Sequence, residues 1–454
     1  RSRTAHQDVA AFLTKNGNGI LTLNSADSNY SGVTTINGGG IRVLQLGIGG
    51  QNSGIGSASN AAANLVFNGG SLRFFNNVST FTDRSFTLGL GDSAGAIIAD
   101  GTVIGATVTF GFDGLSPAVA FTGSGSRTLT LGGANRGDNL FNLVLGDGTG
   151  GPTSLNKIGN GTWVLGVTST YKGETMVNAG ILAATADGAF GASGGAGIII
   201  AGGTNASNLL GNQNATLDLR NVAYNTVQTM YLAGGTLATT VGTSSWAGSV
   251  FVNANSTILV QQGSILNLKG TFGGDGAVTQ IGGGMLILSG QADPTTRNTL
   301  NSSFNVPNHT VQAGILRLDY TTNNSSKLAD TGALVLGGSR FGGALELVGG
   351  SHLEIVAGVT LGAGDNRVSR LSGTSILRMN GIKSRHYALD RDQNATHDLY
   401  EMAALAAGDR AGLGLFDIWP TARYWTVLAV VGGPLLGLVG AACRLDGIDR
   451  KSVV

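Results

Sequence analysis

Short apolar–polar alternations run along most of this chain, and glycine steps punctuate them. Leu21 and Leu23 flank Thr22, and Ile41 and Val43 flank Arg42. A period of two sends successive side chains to opposite faces, the pattern of a strand with one face buried. A strand, a Gly-Gly corner and a second strand read clearly at Leu65-Val66-Phe67-Asn68-Gly69-Gly70-Ser71-Leu72-Arg73-Phe74. The same arrangement returns over residues 345–356 around Gly349-Gly350. Short strands at this spacing build a sandwich, a barrel or a solenoid. The long, repeated and charge-poor run favours the solenoid, in which each coil buries its apolar face on the next.

Internal similarity sharpens that expectation. Residues 15–23 read Lys-Asn-Gly-Asn-Gly-Ile-Leu-Thr-Leu, followed by Tyr30-Ser31-Gly32 and then Thr35-Ile36-Asn37-Gly38-Gly39-Gly40-Ile41. Residues 157–165 read Lys-Ile-Gly-Asn-Gly-Thr-Trp-Val-Leu, followed by Tyr171-Lys172-Gly173 and then Thr175-Met176-Val177-Asn178-Ala179-Gly180-Ile181. A third copy keeps Gly282-Gly283-Gly284-Met285-Leu286-Ile287-Leu288-Ser289-Gly290, replaces the Tyr-x-Gly step by a longer insert, and closes with Thr310-Val311-Gln312-Ala313-Gly314-Ile315-Leu316. Copies of this length are the signature of a solenoid. With roughly 20 residues per coil and strands ~4.8 Å apart, residues 10–382 are expected to form about 18 coils spanning roughly 80–90 Å.

These residues resemble the autotransporter-associated β-strand repeat, also called the passenger-associated transport repeat. The stretches Asp83-Arg84-Ser85-Phe86-Thr87-Leu88-Gly89, Arg127-Thr128-Leu129-Thr130-Leu131, Lys157 through Gly180, and Leu336-Gly337-Gly338 through Leu377-Arg378-Met379-Asn380 are similar to passengers of that family. The resemblance covers residues 10–382. It implies a right-handed parallel β-helix exported to the bacterial surface, and it implies no catalytic activity.

Composition agrees. Gly supplies 76 of 454 residues and Pro only 6, while 42% of residues are apolar. Glycine at more than twice its ordinary usage of ~7%, with so little proline, suits strands and corners and falls short of a low-complexity disordered chain. Basic and acidic residues balance at 27 and 26, so nothing resembles the basic stripe that a nucleic-acid binder needs. The single cysteine, Cys443, excludes an intrachain disulfide and fits a protein that crosses a periplasm unfolded. The chain opens on Arg1-Ser2-Arg3 without Met, which reads as a missing true N-terminus.

After Ile382 the composition changes, and charge density roughly doubles over 383–454. Residues 396–407 read as a short helix, with Thr396 as N-cap, Asp398 and Glu401 early, Leu399, Met402 and Leu405 on one stripe, and Gly408 as the stop. Residues 424–443 form an uncharged run of membrane-spanning length, weakened as a helix by Gly432, Gly433 and Pro434. Asp449-Arg450-Lys451-Ser452-Val453-Val454 is what a common sequencing-adapter stretch encodes. The tail is therefore expected to be an artefactual join near residue 382, with a natural stalk plus anchor as the alternative. No translocator barrel is read in this chain.

Candidate chemistry is thin. Gly91-Asp92-Ser93-Ala94-Gly95 fits G-x-S-x-G, but a nucleophile elbow needs a strand before it and a helix after it. Here Ala96-Ile97-Ile98-Ala99 reads as strand. Arg136-Gly137-Asp138 would bind cells if displayed on a loop, yet arises easily in so glycine-rich a chain. Gly47-Ile48-Gly49-Gly50 lacks the following Lys-Ser/Thr of a phosphate loop. His6, His309, His352, His386 and His397 are scattered without ligand spacing, and most are expected at the surface or in turns. Gly273-Gly274-Asp275-Gly276 begins like a calcium nonapeptide and does not repeat.

No catalytic, cofactor-binding or metal-binding residues are therefore assigned. The reading is a structural or adhesive stalk on the cell surface. Its partners would be a host or neighbouring-cell surface or an extracellular polysaccharide, together with an outer-membrane translocator barrel outside this chain. The alternative is a β-helix polysaccharide lyase or glycoside hydrolase, but the clustered carboxylates such an enzyme needs are absent.

Overall fold

Inward apolar positions that repeat every second residue can be buried only if each strand finds a neighbour one coil away. The computed structural model describes residues 11–75, 77–112, 117–200, 215–292, 308–338 and 342–379. It also describes the strands Ile382–Ser384, Phe416–Ile418, Trp425–Val431 and Gly437–Cys443. Short strands turn corner after corner, and strands of successive coils pair in parallel. The chain divides into two units, Arg1–Ser249 and Val250–Val454.

In the first unit one sheet stacks Ile20–Leu23, Gly40–Val43, Ser71–Phe74, Gly91–Ala99, Arg127–Gly133, Thr153–Lys157 and Thr175–Val177 in chain order. A second stacks Thr80–Thr82, Val108–Phe110, Asp138–Phe141, Thr162–Leu165, Ile181–Ala184 and Thr216–Leu219. A third begins with Leu13–Lys15, Thr34–Ile36 and Leu65–Phe67. In register, Leu21 lies beside Ile41 and Ile41 beside Leu72, and Ile41 and Leu72 are completely buried. Aromatic side chains stack within the same core, with Tyr224 lying 4.5 Å from Trp246 and 5.4 Å from Phe190. Coil length is not constant. Thr162 pairs with Ile181, but Ile181 pairs with Thr216, so the number of residues between rungs differs from coil to coil.

The repeat has a specific corner. Lys157 ends its strand fully buried, and its ammonium donates to the carbonyls of Ile158, Gly159 and Ala179 at 2.9, 2.7 and 2.8 Å. Lys15 does the same toward Asn16, Gly17 and Gly38. Carbonyls that turn out of the ladder at a corner need a donor, and an ammonium has three. The Tyr-x-Gly step holds the next bend: Tyr171 shares a 2.5 Å hydrogen bond with Thr175, and Tyr30 one of 2.9 Å with Thr34.

The second unit repeats the scheme. Ser256–Val260, Val278–Ile281, His309–Val311, Ala333–Leu336, Gly358–Leu361 and Ile382–Ser384 form one stack. Ile265–Leu268, Met285–Leu288, Gly314–Asp319, Gly343–Val348 and Arg367–Arg370 form another. In the third copy Gln280 stands where the first two have lysine. Its amide donates once, to Ile315 at 2.9 Å, and its Oε1 is buried without a partner. Gln280→Lys should therefore raise stability by about 1 kcal/mol, read as a higher midpoint in thermal or urea unfolding. An unchanged or lower midpoint would mean that this corner cannot seat the cation.

Pairing continues past residue 382. Ile382–Ser384 lies beside Val359–Leu361 in register, and Phe416–Ile418 pairs in parallel with Leu377–Met379. The helix expected over 396–407 lies outside the described residues. Within 424–443, where the sequence allows a spanning helix, the chain instead forms Trp425–Val431 and Gly437–Cys443, paired antiparallel with Trp425 opposite Cys443. Gly432-Gly433-Pro434 falls between them in sequence, where the missing proline N–H and poor helix propensity of glycine disfavour a continuous helix. Among the described residues no helix is long and apolar enough to cross a membrane.

Candidate functional site

Each motif singled out in the sequence has a plain structural position. Gly91 to Gly95 lie inside the strand Gly91–Ala99. Its register against Arg127–Gly133 slips between Arg127 and Leu129, so the motif opens an irregularly paired strand and is followed by more strand, not by a helix. Arg136 is exposed, but Asp138 already belongs to a strand, and its carboxylate is ion-paired with Arg220 at 2.9 Å. The aspartate of the tripeptide is thus held on a strand by an ion pair and is not presented at a loop tip. The glycine run at 47–50 spends its groups internally: Gly49 N–H donates to Asp83, and the carbonyls of Gly47 and Ile48 accept from Arg84. Asp275 sits exposed at a corner whose glycines pack against the backbone of Val252 and Ala254. No group of three metal-ligating side chains occurs among the described residues.

One histidine departs from the surface or turn role expected of most of them. His6, His386 and His397 lie outside the described residues, and His352 is partly buried. His309 is a core residue, 6% exposed, on the inward side of His309–Val311. Strand alternation gave it an inward phase, which the absence of ligand spacing could not reveal.

A buried polar cluster with no sequence signal lies in the second unit. Between Gly314–Asp319 and Ala333–Leu336 the chain makes a loop, residues 320–332, that folds over the strand Leu353–Val356. Glu354, fully buried on that strand, accepts from Tyr320 Oη at 2.7 Å and from the amides of Lys327 and Leu328, each at 2.9 Å. Lys327 Nζ donates to the carbonyls of Gly290, Asn323 and Ser289. Burial pushes the Glu354 carboxyl up to about 7, against the downward pull of its three donors. Burial likewise lowers Lys327 to about 8, although Glu354 and Asp319 favour its charge. Tyr320 is raised by burial and by the neighbouring carboxylate.

Ser326 Oγ lies 3.1 Å from His352 Nε2, and Glu354 Oε2 lies 3.9 Å from the same nitrogen. A catalytic triad needs the serine and the carboxylate on opposite ring nitrogens. The amides of Lys327 and Leu328 are already bound to Glu354. The cluster pins a loop. It has no geometry for activating a nucleophile.

Elsewhere, buried cations hold loops in the same manner. The Arg84 guanidinium donates to carbonyls of Gly47, Ser59, Ile48, Gln51 and Gly56, and that of Arg127 to Leu88, Gly89, Thr122, Gly123 and Gly125. The common device is a cation crowned by backbone oxygens at a point where the chain leaves the coil.

Stacked parallel coils with a lysine-centred corner define a repeat-built β-solenoid. The chain matches the passenger-associated-transport-repeat family over residues 13–43 and 155–184, the two copies whose corner lysines are Lys15 and Lys157. These two matched repeats, together with the relative below, support an autotransporter passenger. The chain is 31% identical over 336 residues to the adhesin BmaC autotransporter of Brucella suis biovar 1 (strain 1330). That alignment covers 70% of this chain and 9% of the relative, so the chain spans only a small part of its length. No solved structure matches the chain.

Proposed function

We propose that this chain is part of a surface-displayed adhesive passenger, delivered through an outer-membrane translocator and acting by contact rather than catalysis. The observation that carries the reading is the joint match to an export-associated repeat and to a protein named as an adhesin. The corner glycines and buried cations support it, because their chemistry is spent on holding a stacked scaffold. A host-cell or neighbouring-cell surface, or an extracellular polysaccharide, is the class of partner.

The test is attachment. Beads coated with the folded protein should bind epithelial cells or immobilised polysaccharide several-fold above albumin-coated beads, and Arg136→Ala should bind as well as the parent. Failure of correctly folded protein to bind any of these surfaces would overturn the adhesive reading. Loss of binding with Arg136→Ala would return the tripeptide to the interface.

A further inference from the structure

His309 occupies an unusual place. On its sheet it lies in register between Val278 and Leu334, and Leu334 lies beside Val359. It thus interrupts an inward column of aliphatic side chains, each almost wholly buried. Its Nε2 is buried with no hydrogen-bond partner. Phe272 packs at 6.3 Å between ring centroids. A cavity of about 40 Å³ beside the ring is lined by Phe272, Ala292, Lys327 and Leu328 as well as by apolar members of the column.

A buried polar nitrogen without a partner is costly, and a charged one is costlier. The charged groups nearby offer little relief. Lys327 lines the same cavity and is itself a cation. Glu354 directs its carboxylate to Tyr320 and to the amides of Lys327 and Leu328, while His352 stands 3.9 Å from that carboxylate. Asp319 and Asp330 act on Lys327 and Glu354. Among the described residues, no carboxylate is hydrogen-bonded to His309 Nε2.

We infer that His309 makes the second unit acid-sensitive: a proton on its ring puts an unpaired charge into the apolar column and loosens the coils that carry Val278, His309 and Leu334. Burial lowers the imidazole from 6.5 to about 4 in the folded chain. The folded value lies below the unfolded one. Its contribution is therefore fully present above pH 6.5 and is lost as the pH falls toward 4. Glu354 works in the opposite sense. Its raised value means that it sheds its charge near pH 7, before His309 can take a proton, so it cannot supply a counter-charge in the acid window.

Amide hydrogen exchange on the full chain, corrected for intrinsic rates, tests this. Between pH 7 and pH 4.5, peptides covering 278–281, 309–311 and 333–336 should lose protection in the parent at least about tenfold more than in His309→Leu, since each pKa unit is a factor of ten. Titrating carboxylates are common to both proteins and cancel in the comparison. Equal losses in parent and variant would overturn the inference. Should His309→Leu fail to fold, exchange at the imidazole C2 position of the parent reports the same quantity. A midpoint near 4 supports the acid-sensitive core, and one at 6 or above refutes it.

Discussion

Gly180→Ala should destabilise the first unit by about 3 kcal/mol or more, measured as a drop in urea midpoint without loss of the β-sheet circular dichroism signal at low denaturant. Gly180 has φ of +67°, a left-handed conformation that costs a residue with a Cβ roughly 1–2 kcal/mol. The added methyl would also meet the carbonyl oxygens of Gly159 and Gly161 on the preceding coil and Lys157 Nζ, the cation that holds the corner. Overpacking of this kind adds about 1–3 kcal/mol. The equivalent residue of the first copy, Gly39, faces Gly17 and Gly19 oxygens, and that of the third, Gly314, faces Gly282 and Gly284. The same substitution at either should therefore also destabilise. An Ala at 180 that leaves the midpoint unchanged would show that the corner can relax, and the close coil-to-coil packing argued for it would be wrong.

Glu354→Leu should cost the second unit about 3–5 kcal/mol, because it strands the Tyr320 hydroxyl and two amides in the interior after removing the group they serve. Glu354→Gln separates hydrogen bonding from charge. The carboxyl of the folded chain titrates near 7, above its unfolded value, so its contribution is greatest below pH 4.5 and declines as the pH rises through 7. The stability of the parent relative to Glu354→Gln should consequently fall between pH 5 and pH 8. A difference that grows over that range would mean the three donors outweigh burial and the carboxyl titrates low.

Much of the scaffold was legible because its cause is local. Period-two alternation at Leu21–Leu23 and Ile41–Val43 needs only the pleat of a strand, and the glycine of each closing step takes a left-handed backbone angle that is a local demand. The repeated Gly-x-Gly steps mark the corners, whereas the roles of the lysine and of Tyr-x-Gly show only in their hydrogen bonds. The candidate chemistry was less legible. G-x-S-x-G and Arg-Gly-Asp are spacing patterns, and spacing cannot tell that one is a bulge in a strand or that Asp138 meets Arg220, distant in sequence.

The sequence by itself therefore determined the strand class, the repeat, the family resemblance and the places where the chain turns. Tertiary structure alone decided the register and the buried polar partners. A parallel coil pairs each residue with one many positions away, and loop length sets how many. Lys157 finds the Ala179 carbonyl, Gln280 finds only Ile315, and Glu354 finds the amides of Lys327 and Leu328. Nε2 of His309 finds no partner among the described residues, because its strand phase sets the ring between Val278 and Leu334.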